Sequence, residues 1–171
     1  MAYLRETIGG WLGWLPLSWL QNLAGTGLIV PLYHAVADLP LPHIQPLYPI
    51  RSTERFKVDI DWIQGRYRSI TLRELTEQIH LGQPFRKPSF HLTFDDALRQ
   101  VLPLSRWLRE QGISATLFVN PDFIGNHGLM HRYKAALLIS RIEQEENHRL
   151  REQLANMLGC SGKEVVVRLL S

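Results

Sequence analysis

The run Ser89-Phe90-His91-Leu92-Thr93-Phe94-Asp95-Asp96-Ala97 constrains the fold more than any other part of the chain. Its β-prone residues alternate faces in an extended strand, with Phe90, Leu92 and Phe94 on one side and His91 and Thr93 on the other. Residues 98–111 then read as a helix with a kink or late start at Pro103, capped by Gly112. Ala115-Thr116-Leu117-Phe118-Val119 reads as a second core strand. A strand, a helix and a strand in that order make a parallel, right-handed βαβ unit, and hence an α/β fold. Ligands of open α/β sheets bind beyond the carboxyl ends of the strands. Two adjacent carboxylates at such an end repel each other unless a cation or a shared proton relieves them. Asp95 and Asp96 therefore mark a metal-assisted or acid–base site. Their alternative role is to cap the helix that begins near Leu98.

The segments around this unit extend the same pattern. Residues 28–34 read as a strand, with Pro31 favouring an edge or a bulge. Four prolines between Asp38 and Pro49 indicate a long surface loop. Residues 53–64 place Phe56, Ile60 and Ile63 at helical spacing. Thr71-Leu72-Arg73-Glu74 is a capping box opening a helix whose apolar face is Leu72, Leu75 and Ile79 and which Gly82 ends. Residues 133–158 form one long helix or two, with Ala136, Ile139, Ile142 and Leu150 inward. Trp107 and Phe118 read as core. Among the histidines, His34 is a candidate for the cleft at a strand end, and His91 is packed or paired. His43 belongs to the loop and His80 to a helix surface.

Composition narrows the function classes. A chain of 171 residues suits one domain with a sizeable core. The net charge of +3 comes from scattered residues and gives no footprint for nucleic acid. The single Cys160 excludes an internal disulfide and multi-cysteine zinc. Residues 8–20 are apolar and carry Trp11, Trp14 and Trp19, but Gly9, Gly10, Gly13 and Pro16 interrupt them. They are too short to span a bilayer, and no cationic start or cleavage site makes a clear signal peptide. They read as a short helix packed on the domain or as a Trp-rich segment contacting a membrane surface. The expected location is cytoplasmic or peripheral to the membrane.

The sequence His91-Leu92-Thr93-Phe94-Asp95-Asp96, the helix after it and Ala115-Thr116-Leu117-Phe118-Val119 together resemble the first motif and following strand of polysaccharide deacetylases, the NodB-homology group of carbohydrate esterase family 4. Leu32-Tyr33-His34-Ala35-Val36 resembles the first strand of the same proteins. The resemblance covers about residues 28–125. It implies a partial deformed (β/α) barrel of the NodB/glycoside hydrolase–deacetylase type, acting on N-acetyl groups of a carbohydrate polymer. It makes Asp95 the general base and Asp96 the ligand of a divalent metal, commonly zinc. Such a metal lowers the pKa of its bound water and polarises the amide carbonyl, while a free carboxylate takes the proton. Three parts follow: an apolar helical segment at 1–27, the deacetylase-like core at 28–125, and a helical insert or tail at 126–171.

The family completes its metal with a His-Ser/Thr-x-x-His motif. This chain offers one match to the spacing, His127-Gly128-Leu129-Met130-His131, with both imidazoles on one face of a turn. Gly128 stands where the family has a hydroxyl residue, and the interval from Asp96 is shorter than the family leaves. Phe123-Ile124-Gly125-Asn126, with Leu129 and Arg132-Tyr133-Lys134, also resembles an inserted helical segment of some bacterial deacetylase-like proteins. His127 and His131 are thus either metal ligands or a chance match of spacing, and in the second case the chain stops before the metal site is complete. The competing function is an inactive carbohydrate-binding or interaction module of the same fold. A phosphoryl-acceptor role for Asp95 lacks a suitably placed downstream lysine.

Overall fold

The structure, a computed structural model, describes residues 27–126, 128–144 and 148–170. The apolar segment at 8–20 and His127 lie outside the described residues. The chain is a mixed α/β protein with small parallel sheets. It divides into two compact units, one comprising residues up to Leu32, Ile60–Thr93 and Leu104–Thr116, the other Tyr33–Asp59, Phe94–Pro103 and residues from Leu117 onward.

In the first unit, β1 (Leu28–Ile29), β3 (Arg68–Ser69) and β4 (Ser89–Phe90) form a parallel sheet in the order β1-β4-β3, with Leu28 and Arg68 both opposite Ser89. Donors at Ser89, His91 and Thr93 meet the carbonyls of Gly27, Ile29 and Pro31 at 2.8–3.1 Å, the even spacing of a parallel ladder. Residues 89–93 are buried on both faces, as central parallel strands are. The apolar and polar sides expected of this strand are therefore both inside. Burying side chains such as Phe90 and Leu92 contributes about 1.5–3 kcal/mol each. His91 is accommodated by bonding both ring nitrogens, Nδ1 to the Ile70 carbonyl at 2.8 Å and Nε2 to Thr116 Oγ1 at 2.7 Å.

The capping box forms as its sequence requires. Thr71 Oγ1 accepts from the Glu74 amide and Glu74 accepts from the Thr71 amide, opening α2 (Leu72–His80) after α1 (Thr53–Gln64). Of its expected apolar face only Leu75 is buried, and Leu72 and Ile79 are exposed. The helix over 98–111 starts late, as Pro103 demands: a 3-10 turn spans Arg99–Val101 and α3 covers Leu104–Glu110. Gly112 leaves it at φ +67°, a left-handed conformation that costs glycine little.

The remaining strands, β2 (Leu32–Tyr33), β5 (Leu92–Phe94) and β6 (Ala115–Leu117), hydrogen-bond in the order β2-β5-β6. The expected strand over 28–34 is split, with Val30 and Pro31 between β1 and β2, and each piece lies at a sheet edge, the place expected of a strand carrying Pro31. The strand at 115–119 departs from expectation. It ends at Leu117 and lies at a sheet edge, and Leu117 and the following Phe118 and Val119 are exposed, Phe118 by 54%. Phe118 is not core. Edge position, not composition, decides its burial.

The second unit ends in three helices, α4 (His131–Gln144), α5 (His148–Leu158) and α6 (Val165–Leu170). The described residues of 133–158 fall into two helices. Ala136, Ile139 and Ile142 face inward, and Ile142, Ala155 and Val165 pack together with Leu150 and Leu154. The proline-rich loop at 38–49 carries no helix or strand, yet Ile44 is fully buried against Ala35 and Tyr133. That contact anchors the loop beside the strand end described next.

Candidate active site at the end of the acidic strand

The residues of this site all belong to the second unit. The Asp95 amide donates to the Tyr33 carbonyl at 2.9 Å, and the Phe118 amide to the Phe94 carbonyl at 2.8 Å. The ladder stops there because Asp96 (φ +62°) and Ala97 (φ +47°) both enter the left-handed region. Aspartate tolerates that conformation better than most residues, and alanine does so at a cost. The Asp96 amide donates back to Asp95 Oδ1 at 3.0 Å, closing the turn.

Sequence reasoning placed Asp95, Asp96 and His34 at this end, and the structure brings all three together. Asp95 Oδ2 lies 3.8 Å from His34 Nε2, and both side chains are partly open to solvent, at 44% and 34%. The His34 ring leans on Tyr48, with centroids 4.9 Å apart. Neither aspartate occupies the cap of the following 3-10 turn: that position is Leu98, whose side chain makes no capping bond. The carboxylates are therefore not committed to capping.

Asp96 has a partner that the sequence did not announce. The Tyr133 hydroxyl, from the first turn of α4, donates to Asp96 Oδ2 at 2.5 Å. Burial, then this bond, push the Tyr133 phenol far above its ordinary value. The signal was available in the helical period. Tyr133 lies on the same face as Ala136, and a tyrosine on an inward face needs a partner for its hydroxyl. His43 meets the Tyr133 ring edge-on at 5.7 Å, so the expected loop histidine also borders the site, and burial lowers its pKa. The buried Tyr48 hydroxyl makes no hydrogen bond of regular geometry among the described residues, yet it lies close enough to the Tyr133 hydroxyl for the two phenols to interact. Burial raises the Tyr48 pKa, the charges of Asp96 and Asp95 add to the rise, and the neighbouring Tyr133 hydroxyl opposes it.

A cavity of about 290 Å³ opens beside Asp96, bounded among others by His43, Arg99, Asn120, Phe123 and Tyr133. It offers a carboxylate, a guanidinium, an amide and aromatic edges, a mixture suited to a polar ligand with some apolar surface.

Among the described residues the donors for a divalent metal do not come together. Among the described residues no three His, Cys, Asp or Glu side chains converge on one point. Asp96 is bonded to a phenol, and His131 is exposed at the start of α4. A single carboxylate is not a metal site, and His127, the candidate ligand paired with His131, lies outside the described residues. No helix among them is long and apolar enough to cross a membrane.

Comparison with known proteins adds no relative. No protein-family model matches the chain, no curated protein matches its sequence, and no solved structure matches it.

Proposed function

We propose that the chain is a polysaccharide deacetylase-type domain, built on part of a deformed (β/α) barrel and hydrolysing N-acetyl groups of a carbohydrate polymer. The observation that supports it is the pairing of Asp95 with Asp96 at the carboxyl end of a buried parallel strand, with neither carboxylate spent on capping. In this reading Asp95 is the general base. One of its oxygens is fixed by the Asp96 amide, and the other, partly open to solvent near His34, takes the proton from the attacking water. The cavity beside Asp96 receives the acetylated sugar. The reading includes a cytoplasmic or membrane-peripheral location, supported by the interrupted Trp-rich residues 8–20.

Acetate release from acetylated chito-oligosaccharides tests it. Asp95→Asn is expected to lower the rate by about 100-fold or more, the usual contribution of a positioned base. Equal rates in the parent and the variant would overturn the assignment.

A second reading has its own observation. Tyr133 holds the Asp96 carboxylate that a deacetylase would give to its metal, which favours a non-catalytic carbohydrate-binding module of the same fold. Glycan binding without acetate release, unchanged in Asp95→Asn, is its expected signature.

A further inference from the structure

A cavity of about 490 Å³ lies within the first unit, at the amino ends of β3 and β4. Arg68 and Ser89, the first residues of those strands, border it, and α2 contributes Glu74, Glu77 and Gln78. Its lining is buried at Ile70 and Ser89, and Phe85 is half-buried. The segment over 85–89 is laced to both neighbouring strands. The Ser89 amide donates to the Gly27 carbonyl at 2.8 Å, the Arg68 amide to the Pro88 carbonyl at 2.9 Å, and Ser89 Oγ to the Lys87 carbonyl at 2.8 Å. Gly27 permits a close approach there, since a Cβ would stand 2.6 Å from the Phe85 carbonyl oxygen. A wall fixed in this way loses little freedom when a ligand arrives.

The charges around the cavity do not cancel. Glu74 pairs with Arg68 at 2.8 Å and accepts from the Thr71 amide, and Glu77 pairs with Arg73 at 2.8 Å. Both carboxylates thus have cations of their own. Arg86 and Lys87, also in the lining, make no ion pair among the described residues. The charge left over is positive.

We propose that this cavity is a binding site for a sugar phosphate, a phosphomonoester on a hydroxyl-bearing ring. The proposal stands apart from the deacetylase reading and uses none of its residues. A phosphomonoester carries about −1.5 to −2 charges at pH 7, which suits the two cations, and the arginine fork matches phosphate oxygens. Phe85 offers an apolar surface to the ring. The amides of Gln78 and Gln83 both donate and accept, as hydroxyl groups require. The volume is larger than a bare phosphate needs and falls within the range of small-molecule sites, about 300–1,000 Å³.

Amide shifts of the full chain, titrated separately with glucose 6-phosphate, inorganic phosphate and glucose, test the proposal without any variant. Glucose 6-phosphate is expected to shift the Phe85, Arg86 and Ser89 amides saturably, and to bind about tenfold or more tightly than either of the other two. The double variant Arg86→Gln, Lys87→Gln is expected to lose about tenfold to a hundredfold in affinity, the worth of a charge-assisted hydrogen bond. Both side chains are exposed, so the fold should persist. Lys163→Gln removes a charge outside the lining and is expected to change affinity by less than about twofold. Absence of saturable shifts at those amides overturns the proposal, as does undiminished affinity in the double variant. Inorganic phosphate binding as tightly as glucose 6-phosphate would reduce the site to an anion patch, and glucose binding as tightly would remove the cations from recognition. Either result also overturns it, as does an equal loss in Lys163→Gln.

Discussion

The His91 imidazole and the Thr116 hydroxyl meet at 2.7 Å within the buried part of the first unit. Because Nδ1 lies 2.8 Å from the Ile70 carbonyl, it carries the proton in the neutral ring, and Nε2 accepts from Thr116. One side chain therefore satisfies both the buried Ile70 carbonyl and the half-buried Thr116 hydroxyl. His91→Leu removes both bonds at once. It is expected to cost about 2–4 kcal/mol, since each orphaned group costs about 1–3 kcal/mol. Thr116→Val removes one bond and should cost about 1 kcal/mol. Urea unfolding checks both, and a loss below about 0.5 kcal/mol in His91→Leu would show that the tie contributes nothing beyond an ordinary surface change.

What the residues disclosed in advance follows from locality. The capping box, the helix over 53–64 and the late start after Pro103 are set by neighbours within a few positions, and all appear as read. Asp95, Asp96 and His34 were legible because strand ends are. Burial was less so. Phe118 and His91 show why: one apolar residue is exposed at an edge and one polar residue is fully buried in the centre, and strand order sets both. Tyr133 lay out of sight for the same reason. Its bond to Asp96 joins residues far apart in sequence, and only the seating of α4 brings them together.

The capping box of α2 gives an acid-range prediction. Glu74 accepts from the Thr71 amide and pairs with Arg68 at 2.8 Å. These bonds, the backbone one foremost, draw its pKa from 4.5 down to about 2. Between those values the unfolded chain binds more protons than the native one, so this contribution is present above pH 4.5 and is lost as the pH falls through about 2. Glu74→Gln should flatten that part of the stability profile, by a modest amount because the group is exposed and screened. Thr71→Ala should cost about 1 kcal/mol at neutral pH. Thermal unfolding followed by circular dichroism at several pH values reads both.

At alkaline pH the relevant group is Tyr33. Burial, then the Asp59 charge and the hydrogen bond to Asp59 at 3.3 Å, push its pKa up to about 12, while Arg51 opposes the shift. Above pH 10 the unfolded chain ionises this phenol and the native one does not, so stability is complete below about 10 and declines as the pH rises through about 12. Asp59→Asn should bring the ionisation of Tyr33 closer to that of a free tyrosine. The ultraviolet absorbance of tyrosinate measures it against Tyr33→Phe, and an unmoved titration would show that Asp59 has no part in the shift.

The edge strand β6 carries the last prediction. Sheet edges present unpaired backbone groups, and proteins usually guard them with charge, proline or a covering element. Here Leu117, Phe118 and Val119 are exposed in succession, with no charged residue among them. Such a run is a template for pairing with another chain at high concentration. Phe118→Lys places a charge on the edge while keeping the backbone bond from Phe118 to Phe94. Because the side chain is exposed, stability should change by no more than about 0.5 kcal/mol, whereas self-association should fall. Sedimentation velocity over a concentration series tests this. Association that is unchanged in Phe118→Lys would mean that the contact lies elsewhere and that this edge is protected in some way its exposure does not reveal.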